Sequence, residues 1–251
     1  LNTSNQLAEL YDAFHSRYQE DLPYWLDLAA AYPAPALELG CGTGRVLVQL
    51  ARAGRETWGL DHDPAMLARL ASRSDLPASP PLHPVLADMT DFQLPARFGL
   101  IFSPCNTFST LSAVGRQAAL GQIYTHLLPG GCFSASLPNP YTLASIKPQW
   151  EAELEDEFIH PRTGNPVQVS GRYYRQSGDF VLEWLYDQLL PDGSVERLTA
   201  AVRHPLAPLE TYLQELASAQ LELKNLWGDF DRSPFSPDSP ALIWEVARPA
   251  G

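Results

Sequence analysis

The feature that most constrains this chain is the stretch Leu37-Glu38-Leu39-Gly40-Cys41-Gly42-Thr43-Gly44-Arg45. An apolar run meets closely spaced glycines and passes directly into a helical pattern. Glycines there permit positive φ and let a ligand lie against bare backbone. The helix start behind them offers unpaired amides. A dinucleotide-binding fingerprint would read G-x-G-x-x-G. Here the third glycine comes one residue early and Arg45 stands in its place, which disfavours a nicotinamide cofactor.

The surrounding pattern fits a parallel sheet. Ala36–Leu39, Thr57–Leu60, Val85–Ala87, Leu100–Ser103 and Phe133–Leu137 read as strands. Helical patterns at Arg45–Ala53, Pro64–Arg73 and Gly115–Leu127 lie between them. Strands alternating with helices predict a sheet covered on both faces. Upstream, Leu7, Leu10, Tyr11, Phe14 and Tyr18 fall at helical spacing, and a second helix is expected from about Leu22 to Ala31. After Pro138 the rhythm changes. Trp150–Ile159, Val167–Gln176, Phe180–Leu190 and Val195–His204 are extended candidates separated by turn signals, among them Ser177-Gly178-Asp179 and Pro191-Asp192-Gly193. That is an antiparallel meander. A helix at Pro208–Ala219 and strands at Leu221–Trp227 and Ala241–Ala247 complete the chain. The expected organisation is one α/β domain over residues 1–138 and 205–251, with an antiparallel β insertion over 139–204.

Composition narrows the partners. In 251 residues, 17 Lys and Arg stand against 29 Asp and Glu, a net charge of −12. Nonspecific nucleic-acid binding runs on cationic side chains, so DNA or RNA is not the expected partner. No apolar run is long enough to span a bilayer, and Leu1 to Glu9 lacks the pattern of a signal peptide. Cys41, Cys105 and Cys132 match no zinc spacing, and reduced thiols in a cytoplasm are the simplest expectation. The Asp-His-Asp run at 61–63 has no partner cluster, so no metal is expected.

The glycine stretch resembles motif I of the class I S-adenosylmethionine-dependent methyltransferases, and further motifs follow at the family's distances over roughly residues 1–138. The resemblance implies a doubly wound, Rossmann-like sheet with the β insertion after the fifth strand. It also implies S-adenosylmethionine as cofactor, held by Gly40, Cys41, Gly42, Gly44 and Arg45. Asp61, at the end of the second strand, would take the ribose diol, with His62 and Met66 beside it. Asp63, followed by Pro64, reads instead as a helix cap. Asp88 and Met89 would meet the adenine, the alternative being an Asx turn that closes the third strand. Tyr11 and Tyr18 would cover the cofactor from an N-terminal lid, or the helix simply packs on the sheet. Gly99 stands where the family commonly has Asp. Leu128-Pro129-Gly130-Gly131 matches the turn before the fifth strand.

For the methyl acceptor, Asn106 and Phe108 after the fourth strand, with Tyr173 and Trp184 on the meander, are the expected lining. Cys105 reads as a lining residue too. Glu151, Glu153 and Glu155 alternate along one strand, as solubilising edge acids or as an acidic lip for an amine. Arg172, Arg175 and Arg203 could read a carboxylate or simply carry surface charge. His160 and His204 are weak candidates for a base. The expected reaction is methyl transfer to a small molecule, at nitrogen rather than an unactivated hydroxyl. The alternatives are a nicotinamide-dependent dehydrogenase and a non-catalytic S-adenosylmethionine-binding module.

Overall fold

The computed structural model describes residues 3–250; Leu1, Asn2 and Gly251, at the outer ends of the expected domain, lie outside the described residues. Two helices lead: α1 (Thr3–His15) and α2 (Leu22–Ala31). Strand β1 (Ala36–Leu39), α3 (Leu47–Arg52), β2 (Thr57–Asp61), α4 (Pro64–Ala71), β3 (Leu82–Leu86) and β4 (Phe98–Ser103) follow. A single 3₁₀ turn (Thr107–Thr110), α5 (Ala113–His126) and β5 (Leu127–Pro138) complete this half. The helix expected to carry Tyr18 ends at His15, so Tyr18 stands on the connector to α2.

Short α6 (Pro140–Ser145) opens the insertion, which the strands β6 (Gln149–Ile159), β7 (Pro166–Gln176), β8 (Asp179–Leu189) and β9 (Val195–Pro205) build. Then α7 (Leu209–Ser218), β10 (Glu222–Trp227) and β11 (Ala241–Ala247) return to the first domain. The seven-stranded sheet has the order β10-β11-β5-β4-β1-β2-β3. Strands β1 to β5 pair in parallel, whereas β11 runs antiparallel to both β5 and β10. The sheet is therefore mixed. The insertion is a separate antiparallel sheet, β6-β7-β8-β9. Its β7–β8 hairpin turns on Ser177 and Gly178, both at positive φ, as a two-residue turn between twisted strands requires.

Strand alternation assigns the two faces. Leu37, Leu39, Ile101, Phe133 and Trp244 pack with Leu120 and Ile123 of α5 and Leu216 of α7. Ala36, Leu100, Phe102 and Ile243 pack with Tyr24, Trp25 and Leu28 of α2 and Leu50 of α3. Gly99 is explained by packing: a Cβ there would strike the carbonyl oxygen of Pro33. The third strand lies at 82–86 rather than 85–87, set by its register on β2. The turn at 128–131 is absorbed into β5 as an irregularity between the pairs Phe98–Leu127 and Leu100–Cys132.

The strand order reverses between β1 and β4, and ligands of open α/β sheets bind beyond the carboxyl ends of the strands at such a point. Both the glycine stretch and the loop after β4 emerge there. On the α5–α7 side, Arg116 is buried and donates through Nε and Nη2 to Glu215 at 2.7 and 2.8 Å. Glu215→Ala leaves a buried guanidinium unpaired and is expected to cost about 3–5 kcal/mol. Urea unfolding checks this, and an Arg116→Met/Glu215→Leu double variant should recover most of the loss.

Candidate active site

Past Leu39 the chain turns over Gly40, Gly42 and Gly44, all at positive φ. The amides of Gly40 and Cys41 donate to the Leu60 carbonyl at 2.8 and 3.0 Å, which ties the turn to the end of β2. Gly42 N–H donates to Asp61 Oδ2 at 2.7 Å and Asp63 N–H to Asp61 Oδ1 at 2.9 Å. The Asp61 carboxylate is thus fixed by one amide on each oxygen, with a lone pair on each still to offer. A Cβ on Gly40 would run into Thr107, and one on Gly44 into Leu70 at 2.5 Å. At Gly42 the nearest atom would be Tyr11 Cε1, 4.0 Å away, so neighbours leave open space in front of that backbone.

Asp63 caps α4, accepting from Ala65 N–H at 2.8 Å with Pro64 as the first helical residue. Asp88 closes an Asx turn, its Oδ1 accepting from the amide and hydroxyl of Thr90, both at 2.8 Å. Those bonds hold its carboxyl below the ordinary range. The Met89 side chain is buried in the core beside Phe92. His62 is exposed, its Nδ1 3.8 Å from Asp61 Oδ1, and Met66 is half-buried on α4.

Helix α1 sets Tyr11 and His15 against the glycine turn, enclosing about 30 Å³ with Glu38, Gly42 and Cys105. Two buried atoms in this wall, Glu38 Oε2 and His15 Nε2, have no hydrogen-bond partner among the described residues. Burial raises the Glu38 carboxyl well above its ordinary range, with the Arg45 charge opposing the shift. Burial, with the Arg45 charge nearby, lowers His15 to about 4, so its ring is neutral. Neither residue was singled out from sequence. The available signals were an acid inside an apolar strand and a histidine four places after Tyr11 on one helix face.

Arg45 differs from the expectation of a cofactor ligand. Its guanidinium turns away to grip Asp21 through both oxygens at 2.6 Å, and also meets Tyr18 O at 3.0 Å and Cys105 Sγ at 2.8 Å. The Tyr18 ring lies over it at 5.2 Å. These donors are committed to the wall of the site.

Beyond the turn lies a cleft of about 550 Å³. Leu182, Trp184 and Val202 of the insertion wall it on one side, and Ser136 to Asn139 of the β5 end on another. It shares Tyr11, His15 and Cys105 with the glycine-turn cavity. Asn106, in a left-handed conformation with φ 61°, and Trp184 both line it. Tyr173 lies off the wall, stacked on Phe180 with centroids 5.5 Å apart. Phe108 is corrected from lining to core: it is buried and packs edge-on against Trp244 at 5.7 Å and on Phe133.

His160 is corrected as well. It is buried at the end of β6, where its Nδ1 accepts from Arg162 N–H at 3.2 Å, and it lines a different cavity. Glu151, Glu153 and Glu155 are exposed on the edge strand β6, outside the cleft; Glu20 and Asp229 supply its carboxylates instead. Arg172 pairs with Glu183, Arg203 with Gln176, and Arg175 with carbonyls of α6. No Lys or Arg lines the cleft among the described residues.

His204 does reach the cleft wall. Its Nδ1 lies 2.8 Å from Ser109 Oγ, which in turn donates to Asn106 O at 2.7 Å. A hydroxyl has one proton. Both contacts are hydrogen bonds only if His204 carries its proton on Nδ1, which leaves Nε2 as an acceptor. Burial lowers this histidine to about 4.

Residues 36–131 match a family model described as a methyltransferase domain. The chain is 20% identical over 252 residues to the putative methyltransferase YqeM of Bacillus subtilis (strain 168), across 95% of this chain and 97% of that one. It superposes on the CcbJ methyltransferase of Streptomyces caelestis with a TM-score of 0.75 and 25% identity, covering 99% and 98% of the two chains. CalS10, an amino pentose methyltransferase of Micromonospora echinaspora solved with S-adenosylmethionine, gives a TM-score of 0.72 at 22% identity, over 95% and 96%. The matched residues, 36–131, form a methyltransferase domain of the class I S-adenosylmethionine-dependent type, with S-adenosylmethionine as methyl donor. The dehydrogenase and non-catalytic alternatives fall with that assignment. Among the described residues, no helix is long and apolar enough to cross a membrane.

A histidine held near 4 when folded and about 6.5 when unfolded takes up its proton first in the unfolded chain. Stability contributed by neutral His204 is therefore full above pH 6.5 and is lost as pH falls toward 4. By pH 5 the loss from this one group should reach about 2 kcal/mol. Urea unfolding at pH 7.5 and 5 should show the decline, and His204→Gln should flatten it by that share.

Proposed function

We propose that the protein methylates the nitrogen of a small-molecule amine. The observation that carries this is the cleft itself, which joins the glycine turn through Tyr11, His15 and Cys105, carries Glu20 and Asp229, and has no Lys or Arg in its lining among the described residues. Such a wall favours a cation and disfavours a phosphate or nucleic-acid acceptor. The amino pentose methyltransferase among the superposed structures is named for an amine-bearing acceptor, which supports the same choice.

The residues present fit the donor. Gly42 leaves its backbone open, Asp61 has lone pairs to give to a ribose diol, and Glu38 has a carboxyl group awaiting a partner. We assign Gly40 to Gly44 and Asp61 to holding S-adenosylmethionine, with His62, Met66 and the segment at Asp88 and Met89 toward its adenine. Tyr11 and Tyr18 cover it. When bound, S-adenosylmethionine supplies an electrophilic methyl group on a sulfonium.

The chain's own contribution is then alignment and exclusion of water. Tyr11, His15 and Cys105 close the junction, and Trp184 walls the cleft beyond it. His204, neutral with Nε2 as acceptor, orients an N–H of the acceptor. A histidine near pKa 4 is a poor base, so a hydroxyl would lack activation, whereas the neutral fraction of an amine attacks unaided.

Asp61→Ala should weaken S-adenosylmethionine binding about tenfold to a hundredfold, the loss of a charge-assisted pair of hydrogen bonds. Calorimetry measures it, and unchanged affinity removes Asp61 from the site. A labelled-methyl screen of small amines and alcohols should find its turnover among the amines. With such an acceptor, His160→Ala and His204→Ala should each keep kcat within about tenfold of the parent, against ~10²–10⁴-fold for a lost general base. A thousandfold fall for either, with donor binding intact, points to an oxygen nucleophile.

A further inference from the structure

A second cavity of about 310 Å³ opens beside the acceptor cleft, between α6 and the segment that leaves β9. Its walls include Pro138, Pro140, Pro205 and Pro208, whose backbones carry no N–H to offer a ligand. Leu206, Leu209 and Tyr212 add apolar surface. Side chains with polar atoms in its lining are Ser109, Tyr141, His204, Glu210 and Tyr212. The Ser109 hydroxyl is already spent on Asn106 and His204. Nothing in the cofactor or acceptor assignments above uses this space.

Its position gives it meaning. Pro138, Leu143 and His204 line both this cavity and the acceptor cleft. Three compartments therefore run in series, from the glycine turn to the cleft to the apolar cavity. Tyr11, His15 and Cys105 form the first junction, and His204 stands at the second. With Nδ1 committed to Ser109, what His204 offers at that junction is the Nε2 acceptor.

We propose that the apolar cavity takes a hydrocarbon arm of the methyl acceptor, so that the acceptor is an amine carrying an alkyl or aryl substituent. This rests on the amine reading of the cleft. The nitrogen sits in the cleft, beside Glu20 and Asp229, and the arm passes His204 and Leu143 into the second cavity. An acceptor of this shape covers apolar wall that is otherwise wet. It also accounts for His204 lining both cavities.

The test uses the full chain saturated with S-adenosylhomocysteine and a series of straight-chain primary amines from propylamine to octylamine, with the matching alcohols. Calorimetry should show the longer amines binding about fourfold more tightly per added methylene until the cavity is filled. Ala144→Trp and Leu206→Trp fill the cavity from its exposed rim, where folding is least at risk. Each should cut the increment below twofold while leaving S-adenosylhomocysteine affinity and propylamine binding within twofold of the parent.

An amine series with no chain-length dependence, no binding of amines by the loaded protein, or an increment that survives in both variants overturns the assignment. Equal increments and equal affinities for the alcohols keep the cavity but overturn the amine. Failure of the parent to bind S-adenosylhomocysteine brings down the donor site instead.

Discussion

The walls of this site depend on one ion pair. Asp21 is fully buried and Arg45 nearly so, and they meet through two bonds of 2.6 Å. Desolvating both charges is costly, and the pair repays that only when the remaining lone pairs and protons are satisfied. Here they are. Trp25 Nε1 donates to Asp21 at 2.9 Å, while Arg45 also reaches the Tyr18 carbonyl and Cys105. One contact thus joins the glycine turn, the connector before α2 and the loop after β4. Removing either partner would strand a charge in the wall of the cleft and of the glycine-turn cavity, so the geometry of both stands on it together.

Helix α1 is tied on the opposite side by a second set of charges. Asp12 of α1 accepts from Arg69 of α4 at 2.8 Å, with Arg73 3.7 Å away. Glu9 pairs with Arg162 at 3.1 Å, and Arg17 pairs with Asp156, both partners lying in the insertion or its turn. Phe14 packs edge-on against Trp184 at 5.2 Å. The helix therefore rests between the α/β domain and the insertion instead of lying on the sheet alone. That is why Tyr11 and His15 can face the glycine turn on one side while Phe14 meets Trp184 on the other.

Much of the architecture was legible because it rests on local rules. The meander's turns at Ser177-Gly178 and Pro191-Asp192-Gly193 set its strands within a residue or two, since each turn requires its own residue types. Asp63 as a cap followed from Pro64 beside it. The parts that were not legible depend on partners distant in sequence. Arg45 occupies a ligand-like place in the motif, but Asp21, 24 residues earlier, captures its side chain. Phe108 lies on a loop beside the cleft, yet Trp244 and Phe133 take its ring inward. His160 and His204 look alike in sequence and end β6 and β9. Only the folding of those strands over different ends of the insertion separates them, one on the cleft beside the glycine turn and one away from it. The unpaired atoms of Glu38 and His15 become visible only once α1 is placed.

The same burial that hides those groups sets the electrostatics of transfer. A sulfonium donor brings a positive charge, and a cationic histidine beside it would oppose binding at close range. His15 and His204 are both held near 4 by their surroundings, so neither carries a like charge at neutral pH. Burial raises the Glu38 carboxyl in the same way, which disfavours its charged form. The charges left at the edges are carboxylates, Asp61 at the turn and Glu20 and Asp229 at the cleft. At the junction the Arg45 charge is paired with Asp21, and the other groups the chain supplies there are neutral hydrogen-bonding groups and aromatic walls. On the amine reading proposed above, such a site needs no strong base, because its selectivity comes from which nucleophile is already neutral when it arrives.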